Sequence, residues 1–195
     1  MTTGRVCTGF SKLYVAWLQD SNNGFGIYSI SGGRKLARGV SISVDIDSSN
    51  DNNFFANNGG SESSQTLFFG GTLTLVVDGL FEMPERLIMG NPRKESGWIC
   101  YDDRQKTYYI VVAFIVRYQS GNEEIYVPII FPKCLFNPIS TTAETQESQI
   151  GFQTQELTAK IYRLNDAKHT WKWVGRDYAT EEAAENAIKA KLHIV

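Results

Sequence analysis

Val40-Ser-Ile-Ser-Val-Asp-Ile46 and Thr72-Leu-Thr-Leu-Val-Val77, with the polar run between them, decide the fold. In the first segment Val40, Ile42, Val44 and Ile46 alternate with Ser41, Ser43 and Asp45. In the second Leu73, Leu75 and Val77 alternate with Thr72, Thr74 and Val76. Alternation with period two marks a strand that lays one face on a core. The run from Asp47 to Thr66 is too long for an ordinary connection, and loops of that length are usually functional or disordered. It holds Phe54 and Phe55 side by side among Asn, Ser and Gly. Adjacent aromatics on an exposed segment point to a surface that becomes buried against something else. The run is read as an assembly arm at the end of a long β-hairpin.

Further strand signals recur on both sides, each bounded by turn residues. Lys12–Leu18 places Leu13, Val15 and Trp17 on one face, and Phe25–Ile30 follows the turn at residues 20–24. The nearly continuous apolar run from Tyr108 to Tyr118 fits a strand covered on both faces. It folds back through residues 119–123 onto Ile125–Phe131, where Pro128 favours an edge or a bulge. Trp98–Tyr101, Gln149–Arg163 and His169–Val174 complete the strand set, and Trp171 and Trp173 share one face of the last. Leu80–Met89 reads as a short helix that tolerates Pro84 only near its first turn. Thr180–Leu192 reads as a second helix, capped by Thr180, acidic at its start and basic at its end. Its apolar stripe of Ala184, Ile188 and Leu192 is narrow enough to indicate docking on a surface. The expected fold is mainly β, an antiparallel sandwich or open barrel with one short crossing helix, a long β-hairpin arm and a C-terminal helix. Residues 1–165 form the β domain and 166–195 a C-terminal extension.

Chemistry is sparse in this chain. Its 195 residues carry a formal charge of -2 and two histidines. That balance argues against a nucleic-acid-binding surface, which clusters basic residues. The densest basic group, Arg34, Lys35 and Arg38, is read as a solvated hairpin end beside a turn at Ser31-Gly-Gly33. Cys7, Cys100 and Cys134 are odd in number and lack metal-ligand spacing, so they are read as buried packing residues in a reducing compartment. His169 and His193 are read as surface histidines. Asp45, Asp47, Ser49 and Asp51 imitate a calcium loop, but Asn50 and Ala56 occupy the positions that need Gly and Glu. No nucleophile elbow, phosphate loop, dinucleotide fingerprint or zinc-protease motif occurs. No segment reaches the length of a membrane helix, and the N-terminus lacks an apolar leader. The expectation is a non-enzymatic protein without cofactor or metal.

The order of segments resembles the major tail proteins of long-tailed, non-contractile bacteriophages. Gly9-Phe-Ser-Lys-Leu-Tyr-Val-Ala16 is similar to that family's first strand. Residues 40–46, the arm with Phe54-Phe-Ala-Asn-Asn-Gly59, and Gly70-Gly-Thr-Leu-Thr-Leu-Val-Val-Asp-Gly-Leu80 resemble its strand, long loop, strand and short helix, which here ends at Met89-Gly90. Val111-Val-Ala-Phe-Ile115 with Phe131-Pro-Lys-Cys-Leu-Phe136, and Glu147–Thr154 with Leu157-Thr-Ala159, are similar to its later strands. The resemblance covers residues 9 to 163. It implies a subunit that forms hexameric rings stacked as a tail tube in the virion, made in the host bacterial cytoplasm. Genome DNA passes through the lumen without specific binding, and other tail proteins sit at the tube ends. It also implies inter-ring contacts by the arm, at Asp51, Asn52, Asn53, Phe54, Phe55, Asn57 and Asn58. The extension departs from many relatives.

A second reading is a β-sandwich binding module of a virion, for carbohydrate or a receptor. Trp171 and Trp173 would then form a stacking platform for sugar. A hydrolase is the third reading and would need a site that no motif marks.

Overall fold

The computed structural model describes residues 4–20, 28–49, 53–55, 61–64, 67–103, 105–141 and 153–194. The elements in chain order are β1 (Val6–Asp20), β2 (Tyr28–Lys35), β3 (Gly39–Ser49), β4 (Asn53–Phe55), β5 (Ser61–Ser64), β6 (Leu67–Val77), α1 (Glu82–Ile88), β7 (Arg93–Glu95), β8 (Trp98–Cys100), β9 (Tyr109–Ser120), β10 (Glu123–Phe136), β11 (Gln155–Ile161), β12 (Trp173–Val174) and α2 (Glu181–Leu192). The chain is mainly β, as the alternation predicts. One antiparallel sheet runs β2-β1-β9-β10-β11-β6-β3, with β12 added beside β10.

The sheet rolls until its last strand returns to its first. The start of β3 meets β1 at Gly39, where a Cβ would lie 2.4 Å from the Phe10 ring. A side chain at residue 39 would have to displace that ring, and this contact brings the two ends of the curled sheet together. Inward residues of β1, β6, β9, β10 and β11, among them Val15, Leu73, Leu75, Ile110, Val112, Phe131 and Leu157, fill the interior. α1 caps this core with Leu87 and Ile88. The indole N–H of Trp17 donates to the Leu87 carbonyl at 3.2 Å and ties the helix to β1.

The other face of the central strands is apolar as well. Tyr14, Ala16 and Leu18 of β1 and Val111, Ala113 and Ile115 of β9 point outward, and α2 covers them with Ala184, Ile188 and Leu192. The narrow stripe does dock on a surface, that of the chain's own sheet. The Thr180 hydroxyl caps the helix, accepting from the Ala183 N–H at 3.3 Å. The strand preceding α2 also closes an edge. Pro128 falls where β10 has lost its β11 partner, and there Ile129 and Ile130 pair with Val174 and Trp173. The Pro128 carbonyl accepts from Gly175 at 2.8 Å. A residue that cannot donate thus stands where only its acceptor is needed.

Several boundaries differ from expectation. Ser31-Gly-Gly33 lies within β2, where the register against β1 shifts between Val15 and Trp17. Arg34 and Lys35 therefore stand on a strand and not at a hairpin end. His169 and Thr170 lie in an irregular turn, and the last strand begins only at Trp173. Expected strand residues 25–27 and 149–152 lie outside the described residues.

One buried carboxylate anchors α2 to the barrel. In β1, Lys12 takes the left-handed conformation (φ 55) at a register shift between Ser11 and Tyr14. That bulge brings three side chains of β1 onto the helix. The Tyr14 hydroxyl donates to Glu185, and the Ser11 hydroxyl donates to Glu181. Lys12 reaches Glu185 at 2.9 Å, and Lys189 reaches it from the next helical turn at 3.2 Å. Burial raises the Glu185 pKa, but hydrogen bonds from Tyr14, Lys12 and Lys189 outweigh it and hold the carboxyl at about 2.

Because the folded pKa lies below the unfolded one, this stabilisation is complete above the ordinary glutamate range and fades as pH falls through it. Glu185→Gln should therefore lose roughly 2 kcal/mol at neutral pH. The shift alone corresponds to about 3, and the part-exposed lysines are partly screened. Urea unfolding of wild type and variant should give a midpoint gap that narrows from about pH 4.5 towards pH 2. A gap independent of pH would show that Glu185 acts by packing alone.

Candidate assembly surface

The arm grows out of the barrel as a two-stranded ribbon. β6 is flanked on one side by β11 from Gln155↔Val77 to Ile161↔Gly71. On its other side it is flanked by β3, and that ladder runs further, from Gly39↔Val77 to Ser49↔Leu67. Beyond Gly71 the ribbon has no second strand neighbour among the described residues. A second ladder, β4 with β5, pairs Asn53↔Ser64, Phe54↔Ser63 and Phe55↔Ser61. Only residues 50–52 and 65–66 separate the two ladders in the chain. Of the expected contact residues, Asn53, Phe54 and Phe55 therefore lie together on one strand near the end of this hairpin. Asp51, Asn52, Asn57 and Asn58 lie outside the described residues.

The ribbon's root carries features that local patterning does not show. Phe69 is 66% exposed on β6. Its neighbour Phe68 turns the other way and stacks on Trp171 of the extension, with ring centroids 4.5 Å apart and planes 1° from parallel. Trp173, in contrast, packs with Tyr28 and α2 on the outer face of the barrel. The two tryptophans thus belong to different clusters and form no common platform.

The outward face of β3, β6 and β11 is uncovered and hydroxylic. Ser43, Thr74 and Thr158 stand in one row, and Asp45, Thr72 and Lys160 in the next. Lys160 donates to the Thr72 hydroxyl at 3.2 Å. No lysine or arginine occurs between Arg38 and Arg86, whereas the same stretch carries Asp45, Asp47, Asp51, Glu62, Asp78, Glu82 and Glu85.

A second exposed apolar group sits on the segment that joins β6 to β9. Phe81 and Met83 at the start of α1 and Trp98 at the start of β8 are 80%, 52% and 77% exposed. Lys94 of β7 holds this hairpin to α1 through Glu82 at 2.7 Å. The Tyr101 hydroxyl donates to Glu85 at 2.8 Å. Behind α1 opens a cleft of about 370 Å³, floored by Ile88, Met89, Phe136 and Pro138 and rimmed by Asp102, Asp103 and Gln105.

None of the groups considered for catalysis are brought together among the described residues. His169 and His193 are both exposed, each in the left-handed conformation at a turn or helix end. No group of three or more potential metal ligands is found among the described residues. The cysteines divide, against the expectation that all three are buried. Cys134 is buried, Cys100 half-buried and Cys7 exposed at the start of β1. Burial pushes the Cys134 thiol far up from its ordinary value, which makes it a poor nucleophile. No helix among the described residues is long and apolar enough to cross a membrane. No protein-family model matches the sequence, and no curated protein matches it.

A maleimide reagent should label Cys7 of the native protein first and Cys100 more slowly. Cys134 should be modified only after denaturant is added. Peptide mapping of the labelled protein checks the order, and native labelling of Cys134 would contradict its placement.

Proposed function

We propose that the chain is the structural subunit of a bacteriophage tail tube. In this reading it assembles with copies of itself into rings, and the rings stack through the arm. The observation that carries the reading is the ribbon: a β-ladder that leaves the barrel at Gly71, continues to Ser49↔Leu67 and resumes at Asn53–Phe55. A monomeric protein has little use for such a projection, which exposes strand edges that would otherwise invite random pairing. Edge pairing between copies satisfies those groups and, with heterologous contacts, closes a ring. Exposed Phe69, Phe81, Met83 and Trp98 add apolar area of the kind that becomes buried on association.

The family resemblance, in segment order from Gly9 to Arg163, supplies the hexameric ring and the tail proteins at the tube ends. It also supplies the virion as location, with synthesis in the host cytoplasm and with DNA as the passing cargo. The charge distribution supports that cargo. Each phosphate held by a lysine or arginine would add affinity and resist sliding. The hydroxyl face and its acidic ribbon provide few such contacts. The tube needs no catalytic group, metal or cofactor.

Concentrated protein should form rings and tubes visible by negative-stain electron microscopy. Deletion of residues 50–64 should leave the circular dichroism spectrum and the Cys134 protection unchanged while abolishing tube growth. Tubes of normal length from the deletion variant would remove the arm from this role. A wild-type protein that stays monomeric at every concentration and salt would remove the reading itself.

A further inference from the structure

The extension after β11 makes a contact with the ribbon that lies outside the strand ladders of the sheet. Ile161 ends β11 opposite Gly71, the last β6 residue with two neighbours. The chain then closes a tight turn. The Leu164 N–H donates to the Thr170 carbonyl at 2.8 Å. The Thr170 N–H and hydroxyl donate to Asp166 at 2.9 and 2.7 Å. This turn returns the chain to the barrel mouth, and the next residue is Trp171. Its indole lies between Phe131 of β10, with centroids 6.5 Å apart, and Phe68 of the ribbon, at 4.5 Å. Phe131 continues to Phe114 at 6.2 Å, and Phe114 to Phe10 at 6.3 Å. A row of aromatic rings therefore crosses the barrel interior and ends on the first turn of ribbon that lacks a flanking strand.

We propose that the extension is a strut that sets the direction of the arm, with Trp171 as the positioning residue. A two-stranded ribbon bends and twists freely, since isolated hairpins are marginal in water. An arm that must meet a neighbour in one orientation gains from being held at its root. There binding need not also freeze a swinging hairpin. A face-to-face aromatic contact fixes both the separation and the tilt of the two elements it joins. Phe68 is the first ribbon side chain within reach of the extension past the end of β11, so a brace placed there acts at the hinge. The proposal rests on the reading of the arm as the contact between copies.

Hydrogen exchange on the full-length protein tests the strut apart from assembly. In Trp171→Ala, amides of residues 48–49 and 67–70 should exchange at least tenfold faster, with protection in β9 and β1 reduced far less. Trp171→Phe, which keeps a stacking ring, should restore most of the protection. Phe68→Ala removes the same contact from the ribbon side and leaves Trp171 against Phe131. It should give the same local loosening, and the double variant should be no looser than either single one. Tubes formed by Trp171→Ala should be at least tenfold fewer than wild type or irregular in ring spacing.

Uniform loss of protection across the barrel, or an unchanged root, would overturn the strut and leave the arm's role standing. A loosened root with normal tubes would overturn its part in assembly. Failure of the wild type to form tubes would sink the assembly reading, while the exchange result would still decide whether Trp171 holds the ribbon.

Discussion

The two-sided burial of β9 and β10 governs the rest of the molecule. From Ile110 to Val116 every β9 residue is buried, and so is β10 from Val127 to Cys134. A strand pair of this kind cannot lie on the outside of a barrel unless something apolar covers its second face. α2 is that cover, and it needs a fixed seat because its buried stripe is only three residues wide. The Lys12 bulge and the Glu185 network provide the seat. Removing the carboxylate is costly, since the buried Tyr14 hydroxyl would lose its acceptor. Segment 166–195 is therefore part of the barrel's closure as well as an extension of the chain.

The same demand explains the division of surfaces. One outer face of the barrel is consumed by α2 and cannot contact anything else. The opposite face, on β3, β6 and β11, alternates between apolar inward residues and outward Ser, Thr, Asp, Glu and Lys, interrupted by Val76. It is stable in water and needs no cover. The ribbon grows from this solvated side, so it leaves the barrel without exposing the core. The barrel is thus asymmetric in chemistry, with a sealed apolar back and an open hydroxylic front.

Most of this was legible in the sequence because periodicity reports directly on which side of a strand meets the core. Residues 40–46 and 72–77, the central pair and both helices were read from that signal. The ribbon is longer than periodicity indicates, because Ser48, Ser49 and residues 67–70 lack alternation. Gly32 and Gly33 signal a turn but serve a bulge, Gly32 beneath the Trp17 ring and Gly33 against Ile194. Trp171 and Trp173 share parity, yet the strand begins only at Trp173, and parity predicts a common face only within a continuous strand. The arm as a candidate site was visible in the paired phenylalanines. Its brace was not, since the Phe68–Trp171 contact joins segments far apart in sequence. The one available hint was an apolar pair, Phe68-Phe69, continuing past the end of the alternation. Glu185 gave a comparable hint as a carboxylate beside Ala184 in the apolar stripe, but its partners depend on a bulge in a distant strand.

The β3–β6 ladder stops at Ser49↔Leu67, and among the described residues the hydrophobic core reaches along the ribbon as far as Phe68. Doubling the length of a loop such as the one between these strands adds only about 0.6 kcal/mol of closure entropy. A foreign sequence could be inserted there at little expense to the barrel, whereas a single methylene removed from β9 would be felt at once.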